Sequence, residues 1–74
     1  MEIAEFIDKF AETIEIEEPE NLTATTQFRD LEEWSSLSVM LLIAFCDEEF
    51  SKEIGDADIK NCVTIGDLYN LATA

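Results

Sequence analysis

The stretch Phe28-Arg29-Asp30-Leu31-Glu32-Glu33-Trp34-Ser35-Ser36-Leu37 decides the fold. Before its end the chain sustains no period from residue 17 to residue 34, and Asn21, Thr23, Thr25 and Thr26 mark that region as loop. After it, residues 36 to 50 contain neither Gly nor Pro and are rich in apolar side chains at helical spacing. Trp34-Ser35-Ser36 is therefore the junction between a long loop and a long helix. Ser35 is the expected N-cap, because a serine oxygen can accept from a first-turn backbone N–H that has no helical partner. A loop of this length in a small domain has to pack or to function. Leu22, Phe28 and Leu31 are the expected anchors that pin it to the core, and a short helical turn is expected around Gln27 to Leu31.

Working outward, the helix after the junction turns Leu42, Ile43, Phe45, Cys46 and Phe50 inward. Leu37, Val39, Met40 and Leu41 are apolar as well, so its first half is hydrophobic nearly all round and part of it must face solvent. Its second half becomes acidic at Asp47, Glu48 and Glu49. Upstream, Ile3, Phe6, Ile7, Phe10 and Ile14 recur at offsets of three and four and form one apolar stripe. Glu2, Glu5, Asp8, Lys9 and Glu12 fill the other side, with Glu2 and Glu5 at the positive end of the helix dipole. Pro19 disfavours helical geometry at Glu18, which predicts an end to this helix near residue 16. Downstream, Gly55 closes the second helix region. Asp56 to Lys60 predicts a single short turn capped by Asp56. Thr64 opens a last helix, with Asp67 three residues on as an approximate capping box and Ile65, Leu68 and Leu71 as its buried stripe. The outline is an all-α fold: a small four-helix bundle of three longer helices and one short one. A long loop joins the first two helices, and residues 1–74 form a single domain.

The totals narrow the function. A domain of 74 residues buries only ~60% of the surface its unfolded chain exposes, which leaves little room for an enclosed active site. Eighteen acidic against four basic residues give a formal net charge of −14. That field repels phosphate backbones and anionic headgroups, so neither nucleic acid nor membrane is expected as a partner. A basic patch on another protein suits it well. The acidity does not imply disorder, because 47% of the residues are hydrophobic and can form a core.

There is no histidine, which removes the commonest general base, zinc ligand and activator of a serine or cysteine nucleophile. No acid–base pair or nucleophile with its own base can be assembled, so an enzyme is not expected. Asp56, Asp58 and Asp67 lack the spacing of a calcium loop. Cys46 and Cys62 lack metal-site spacing and read as buried packing residues. The N-terminus is acidic, with spaced apolar residues and no leader pattern. Val39 to Cys46, the longest apolar run, is too short to span a bilayer. A cytoplasmic, monomeric protein with reduced thiols is the expectation.

The order of elements resembles an acyl carrier protein, and residues 28 to 50 carry the likeness. In that family a Phe and a Leu in the long loop precede an Asp-Ser-Leu at the start of the second helix. Here Phe28, Leu31 and Ser35-Ser36-Leu37 are similar to that pattern, and Trp34 resembles a common variant in carriers of specialised pathways. Asp47-Glu48-Glu49-Phe50 resembles the acidic run with a buried Phe that ends the family's second helix. Ile54 to Leu68 matches its third and fourth helices more loosely. The chain departs from the pattern at Ser35, where the family usually has Asp.

The resemblance implies a covalent 4′-phosphopantetheine arm, derived from coenzyme A, on Ser36. Acyl intermediates would ride as thioesters on that arm to partner enzymes of fatty acid, polyketide or related biosynthesis. Leu37 follows Ser36 as the pattern requires, which leaves Ser35 the role of N-cap. The implied partners are a phosphopantetheinyl transferase, which supplies the catalysis of attachment, and acyl-loading and acyl-transfer enzymes with basic docking patches. Family partners meet the second helix through acids spread along it. In this chain the first half of that helix offers Ser38 and Leu41 instead. The expected docking set is therefore an apolar patch of Leu37, Met40 and Leu41, with Asp47, Glu48 and Glu33 meeting a basic rim. Cargo in the family can slip between helices; Phe28, Leu42, Phe50, Ile54 and Leu68 are the residues that would line such a pocket. The alternative is a carrier-fold adaptor between proteins that has lost its arm, for which the missing Asp is the main support.

Overall fold

The computed structural model describes residues 1–17 and 19–74; the expected effect of Pro19 on Glu18 lies outside the described residues. Four helices, α1 (Ile3–Thr13), α2 (Ser36–Phe50), α3 (Asp56–Lys60) and α4 (Ile65–Thr73), make an all-α bundle with no strand among the described residues. Helix α1 packs on α2 and α4, and α2 also packs on α3 and α4.

Helix α1 buries Phe6, Phe10 and Ala11 along the expected stripe, with Ile14 buried just beyond its end. It stops at Thr13, three residues before the expected end near residue 16. The cause is a backbone stop signal. Glu15 takes the left-handed conformation at φ 58°. The Ile16 N–H then donates to the Ala11 carbonyl at 2.9 Å and the Glu15 N–H to that of Glu12 at 3.3 Å. These two bonds satisfy carbonyls the helix leaves open. Helix α2 ends in the same way, with Ser51 at φ 52°, its N–H on the Asp47 carbonyl at 3.1 Å and the Lys52 N–H on the Cys46 carbonyl at 3.3 Å.

Helix α4 is capped as expected. The Thr64 Oγ1 accepts from the Asp67 N–H at 3.2 Å, and the Asp67 carboxylate accepts from the Thr64 N–H at 3.1 Å. The cap of α3 differs from the expectation. Gly55 holds the N-cap position, and its N–H donates to the Asp58 carboxylate at 2.9 Å. Asp56 is the first helical residue and pairs with Lys60 across one turn at 3.2 Å.

The core runs as a chain of aromatic rings. Phe6 lies 5.7 Å from Phe45, 6.0 Å from Phe50 and 5.4 Å from Tyr69, joining α1, α2 and α4. Phe10 passes the packing on to Trp34, and Trp34 to Phe28 in the loop. Phe28 and Leu22 are buried and Leu31 is half-buried, so all three expected anchors hold the loop down. A 3₁₀ turn at Phe28–Asp30 matches the short turn expected there, and a second lies at Pro19–Asn21.

The loop is held by more than those side chains. Its backbone is stitched to the α3–α4 junction, where the Thr26 carbonyl accepts from Ile65 N–H at 3.0 Å and the Ala24 carbonyl from Gly66 N–H at 2.8 Å. Gln27 and Thr64 form an isolated antiparallel bridge. Arg29 completes the seam, donating to the Cys62 carbonyl at 2.5 Å and the Ile59 carbonyl at 2.7 Å. Its guanidinium lies 4.7 Å from the centre of the Phe28 ring. Residues 22–34 of the loop thus form an ordered strap that leads into α2.

Candidate functional site

The strap ends at Trp34, which is half-buried with its ring 4.7 Å from Phe28 edge-on and 6.4 Å from Phe10 nearly parallel. Ser35 follows in extended geometry at φ −149°, ψ 178°, and Ser36 is the first residue of α2. Both serines are exposed. Ser35 occupies the N-cap position as expected, in a capping box with Ser38. Ser38 does the tying. Its Oγ accepts from the Ser35 N–H at 3.1 Å and donates to the Glu33 carbonyl at 3.2 Å. The sequence reading placed Ser38 on the docking side of α2; the structure buries it, at 3% exposure. Nothing in a serine near a helix start distinguishes a capping residue from a surface one until the backbone it faces is known.

The expected apolar patch is present in part. Leu37 is 60% and Met40 67% exposed, whereas Leu41 is half-buried. Asp47 and Glu48 are exposed on the second half of α2. Glu33 is half-buried, and its carboxylate accepts from the Glu17 N–H at 3.3 Å, so it belongs to the strap as much as to a docking rim.

Ser36 also opens a row along α2. Met40, Ile43, Ala44 and Asp47 follow it at offsets of four, seven, eight and eleven, which places them on one side of the helix. These four residues, with Glu53, Ile54 and Gly55 of the α2–α3 connection, line a groove of about 580 Å³. Of the five residues expected to line a cargo pocket, Ile54 is in this groove. Phe28, Leu42 and Leu68 are closed into the core, and Phe50 is half-buried.

The charge around Ser36 comes from the helix end. All four basic side chains are engaged elsewhere. Lys9 pairs with Glu49 at 3.1 Å, Lys60 with Asp56, Lys52 donates to the Ala74 carbonyl, and Arg29 clasps the end of α3. A phosphate on Ser36 would therefore be met by the first-turn N–H groups and the positive end of the α2 dipole. The thiols are remote in character from this chemistry. Cys46 and Cys62 are both free and buried, as expected. Burial, with Cys62 nearby, pushes the Cys46 thiol up to about 11, and burial likewise raises Cys62. Among the described residues no group of acids, cysteines or histidines is placed to hold a metal ion.

An exposed serine thus opens the second helix of a small bundle, directly behind an ordered strap. The family model of the phosphopantetheine attachment site matches residues 4–72, and the chain belongs to that family. The domain is accordingly the site of covalent 4′-phosphopantetheine attachment. The residues present fit the group, with an exposed hydroxyl at the positive end of a 15-residue helix and, on the same side, a groove lined by Met40, Ile43 and Ile54 together with Asp47 and Glu53. Comparison with curated proteins and with solved structures gave no match.

Proposed function

We propose that the protein is a non-catalytic acyl carrier whose arm is attached to Ser36. The observation that carries this reading is the position of Ser36 itself: exposed and first in α2. Bound there, 4′-phosphopantetheine supplies a terminal thiol on which acyl groups are held as thioesters. The chain's own part is to present the hydroxyl, to place first-turn N–H groups beside the phosphate, and to offer Met40, Ile43 and Ile54 as an apolar surface near the tethered group. The pathway class is fatty acid, polyketide or related biosynthesis.

Partners dock on α2, with Leu37 and Met40 as the apolar contact and Leu41 beside them, while Asp47 and Glu48 meet a basic rim. Exposed apolar side chains on a surface this charged mark an interaction site. The partners are a phosphopantetheinyl transferase and the enzymes that load and unload acyl groups. The net charge of −14 argues against nucleic acid and membrane as ligands, and no helix among the described residues is long and apolar enough to cross a membrane. Free, buried thiols are in keeping with a cytoplasmic monomer.

The experiment is intact-mass measurement after incubation with coenzyme A and a broad-specificity phosphopantetheinyl transferase. A gain of one phosphopantetheine that Ser36→Ala abolishes is the expected result. No gain with several transferases would turn the reading to the carrier-fold adaptor.

A further inference from the structure

We propose that Ser38 is the positioning residue that decides which of the two adjacent serines, Ser35 or Ser36, is modified. The inference rests on the reading of Ser36 as the attachment point. Ser38 is the buried polar residue among the described residues, at 3% exposure. A buried hydroxyl is costly unless its hydrogen-bonding capacity is used. Here the Oγ uses both its donor and an acceptor, on the Glu33 carbonyl at 3.2 Å and the Ser35 N–H at 3.1 Å. Those two backbone groups lie on either side of Trp34, whose ring is wedged between Phe10 and Phe28. The clamp therefore couples the packed end of the strap to the first turn of α2, and the helix start cannot slide by a residue.

The two serines are made unequal by this clamp. Ser35 is held extended, with its Oγ 3.4 Å from the Ser38 Oγ. Ser36 is held helical, and among the described residues its hydroxyl has no partner in the chain. In the transfer, the serine Oγ forms a bond to the phosphorus of coenzyme A that bears the pantetheine. The phosphoanhydride bond breaks, adenosine 3′,5′-bisphosphate leaves, and the hydroxyl proton passes to a base of the transferase. The serine that starts the helix has the first-turn N–H groups beside its new phosphate. Without the Ser38 clamp the first turn frays, Ser36 loses its helical backbone, and the difference between the two hydroxyls shrinks.

The test uses the full chain, purified without its arm, with coenzyme A and a broad-specificity transferase, and maps the modified residue by peptide fragmentation. The native protein is expected to carry the arm on Ser36 alone. In Ser38→Ala the transfer is expected to slow by about tenfold or more, as for a reacting group displaced by a fraction of an ångström, with part of the product on Ser35. Amide exchange at residues 36–38 of the unmodified variant is expected to rise relative to α1. Ser38→Thr, which keeps the hydroxyl, restores both selectivity and protection. Ile59→Val, a destabilising change away from the junction, leaves the modified residue unaltered. If Ser38→Ala does not fold, Ser38→Cys, with its weaker donor and acceptor, is expected to show the same drift to Ser35. Modification on Ser36 alone at the native rate in the folded clampless variant overturns the inference. Undiminished modification of Ser36→Ala in the otherwise native chain overturns instead the choice of Ser36 on which it rests.

Discussion

Gly66 donates its N–H to the Ala24 carbonyl at 2.8 Å, and a β-carbon at position 66 would lie 2.9 Å from that same oxygen. The contact is between two backbones: the first turn of α4 and the middle of the strap. Neither can retreat, because Ile65 beside it is fully buried and bonded to Thr26. Glycine is required here for lack of space.

Gly66→Ala is expected to destabilise the fold by about 1–3 kcal/mol, the range for forcing a methyl into a packed site. Urea unfolding followed by the fluorescence of Trp34 measures it. Alanine's better helix propensity acts in the opposite direction and is worth less than the clash, about 1 kcal/mol. A stabilised Gly66→Ala would show that the strap yields.

Arg29 ties the strap to the end of α3 through the Ile59 and Cys62 carbonyls. Helix α3 has five residues and one buried side chain, Ile59, so it depends on what is fastened to its end. Arg29→Met is expected to cost about 1.5–3 kcal/mol, the worth of hydrogen bonds with a charged donor. Amide exchange should quicken first in residues 56–62. Arg29→Lys is expected to recover only part of the loss, since a single ammonium lacks the planar fork that serves two acceptors at once. Full recovery by lysine would mean that charge, not geometry, holds the seam.

What could be read from the sequence follows from how local its cause is. Helices α1, α2 and α4 announce themselves in the spacing of Phe6, Phe10, Leu42, Phe45, Cys46, Ile65 and Leu68, all of which are buried. Thr64 and Asp67 announce their cap for the same reason: partner and donor are three residues apart. The stop of α1 at Thr13 depends on Glu15 adopting a left-handed backbone that its side chain does not advertise. Ser38, Arg29 and Gly66 were missed as structural residues because their partners are backbone groups, and for Arg29 and Gly66 those groups lie thirty residues away or more. At the site, Ser36 and Leu37 were legible through the family's pattern. That the buried Ser38 hydroxyl reaches back to the Ser35 N–H and the Glu33 carbonyl was not, since neighbouring serines offer the same chemistry.

Asp67 gives the fold a pH dependence of known sign. Hydrogen bonds from the Val63 and Thr64 N–H groups, at 2.9 and 3.1 Å, hold its carboxyl below the ordinary Asp value. A lowered folded value means that the ionised cap stabilises the protein above the unfolded value of about 3.9 and that this contribution is lost as pH falls through the lower folded value. Asp67→Ala should therefore be less stable than the native protein by a constant margin from pH 7 down to about pH 4. Below that the two stabilities should converge. Thermal unfolding across the series measures the margin, and one that persists at low pH would assign it to packing of the side chain and not to its charge.

Recognition by partner enzymes should depend on Met40 more than on the acids of α2. The first ten positions of that helix, from Ser36 to Phe45, hold no charge, and Leu37 and Met40 stand out from it at 60% and 67% exposure. A buried apolar contact acts mainly on how long a complex lasts, whereas rim charges act on how fast it forms and on its salt dependence. Met40→Glu is therefore expected to lower kcat/KM for acyl transfer by a cognate partner by about tenfold, the cost of removing an anchoring contact worth somewhat over 1 kcal/mol. The loss should change little between low and high salt. Asp47→Asn with Glu48→Gln should lower the rate mainly at low salt. Leu41→Glu is a harsher substitution for the fold, because Leu41 is half-buried, so its effect on transfer has to be read against its melting temperature. Native transfer by both Met40→Glu and Leu37→Glu would move the docking surface off this face of α2. A salt-dependent loss in Met40→Glu would mean that the new charge, repelled or misplaced at the rim, is what the partner senses.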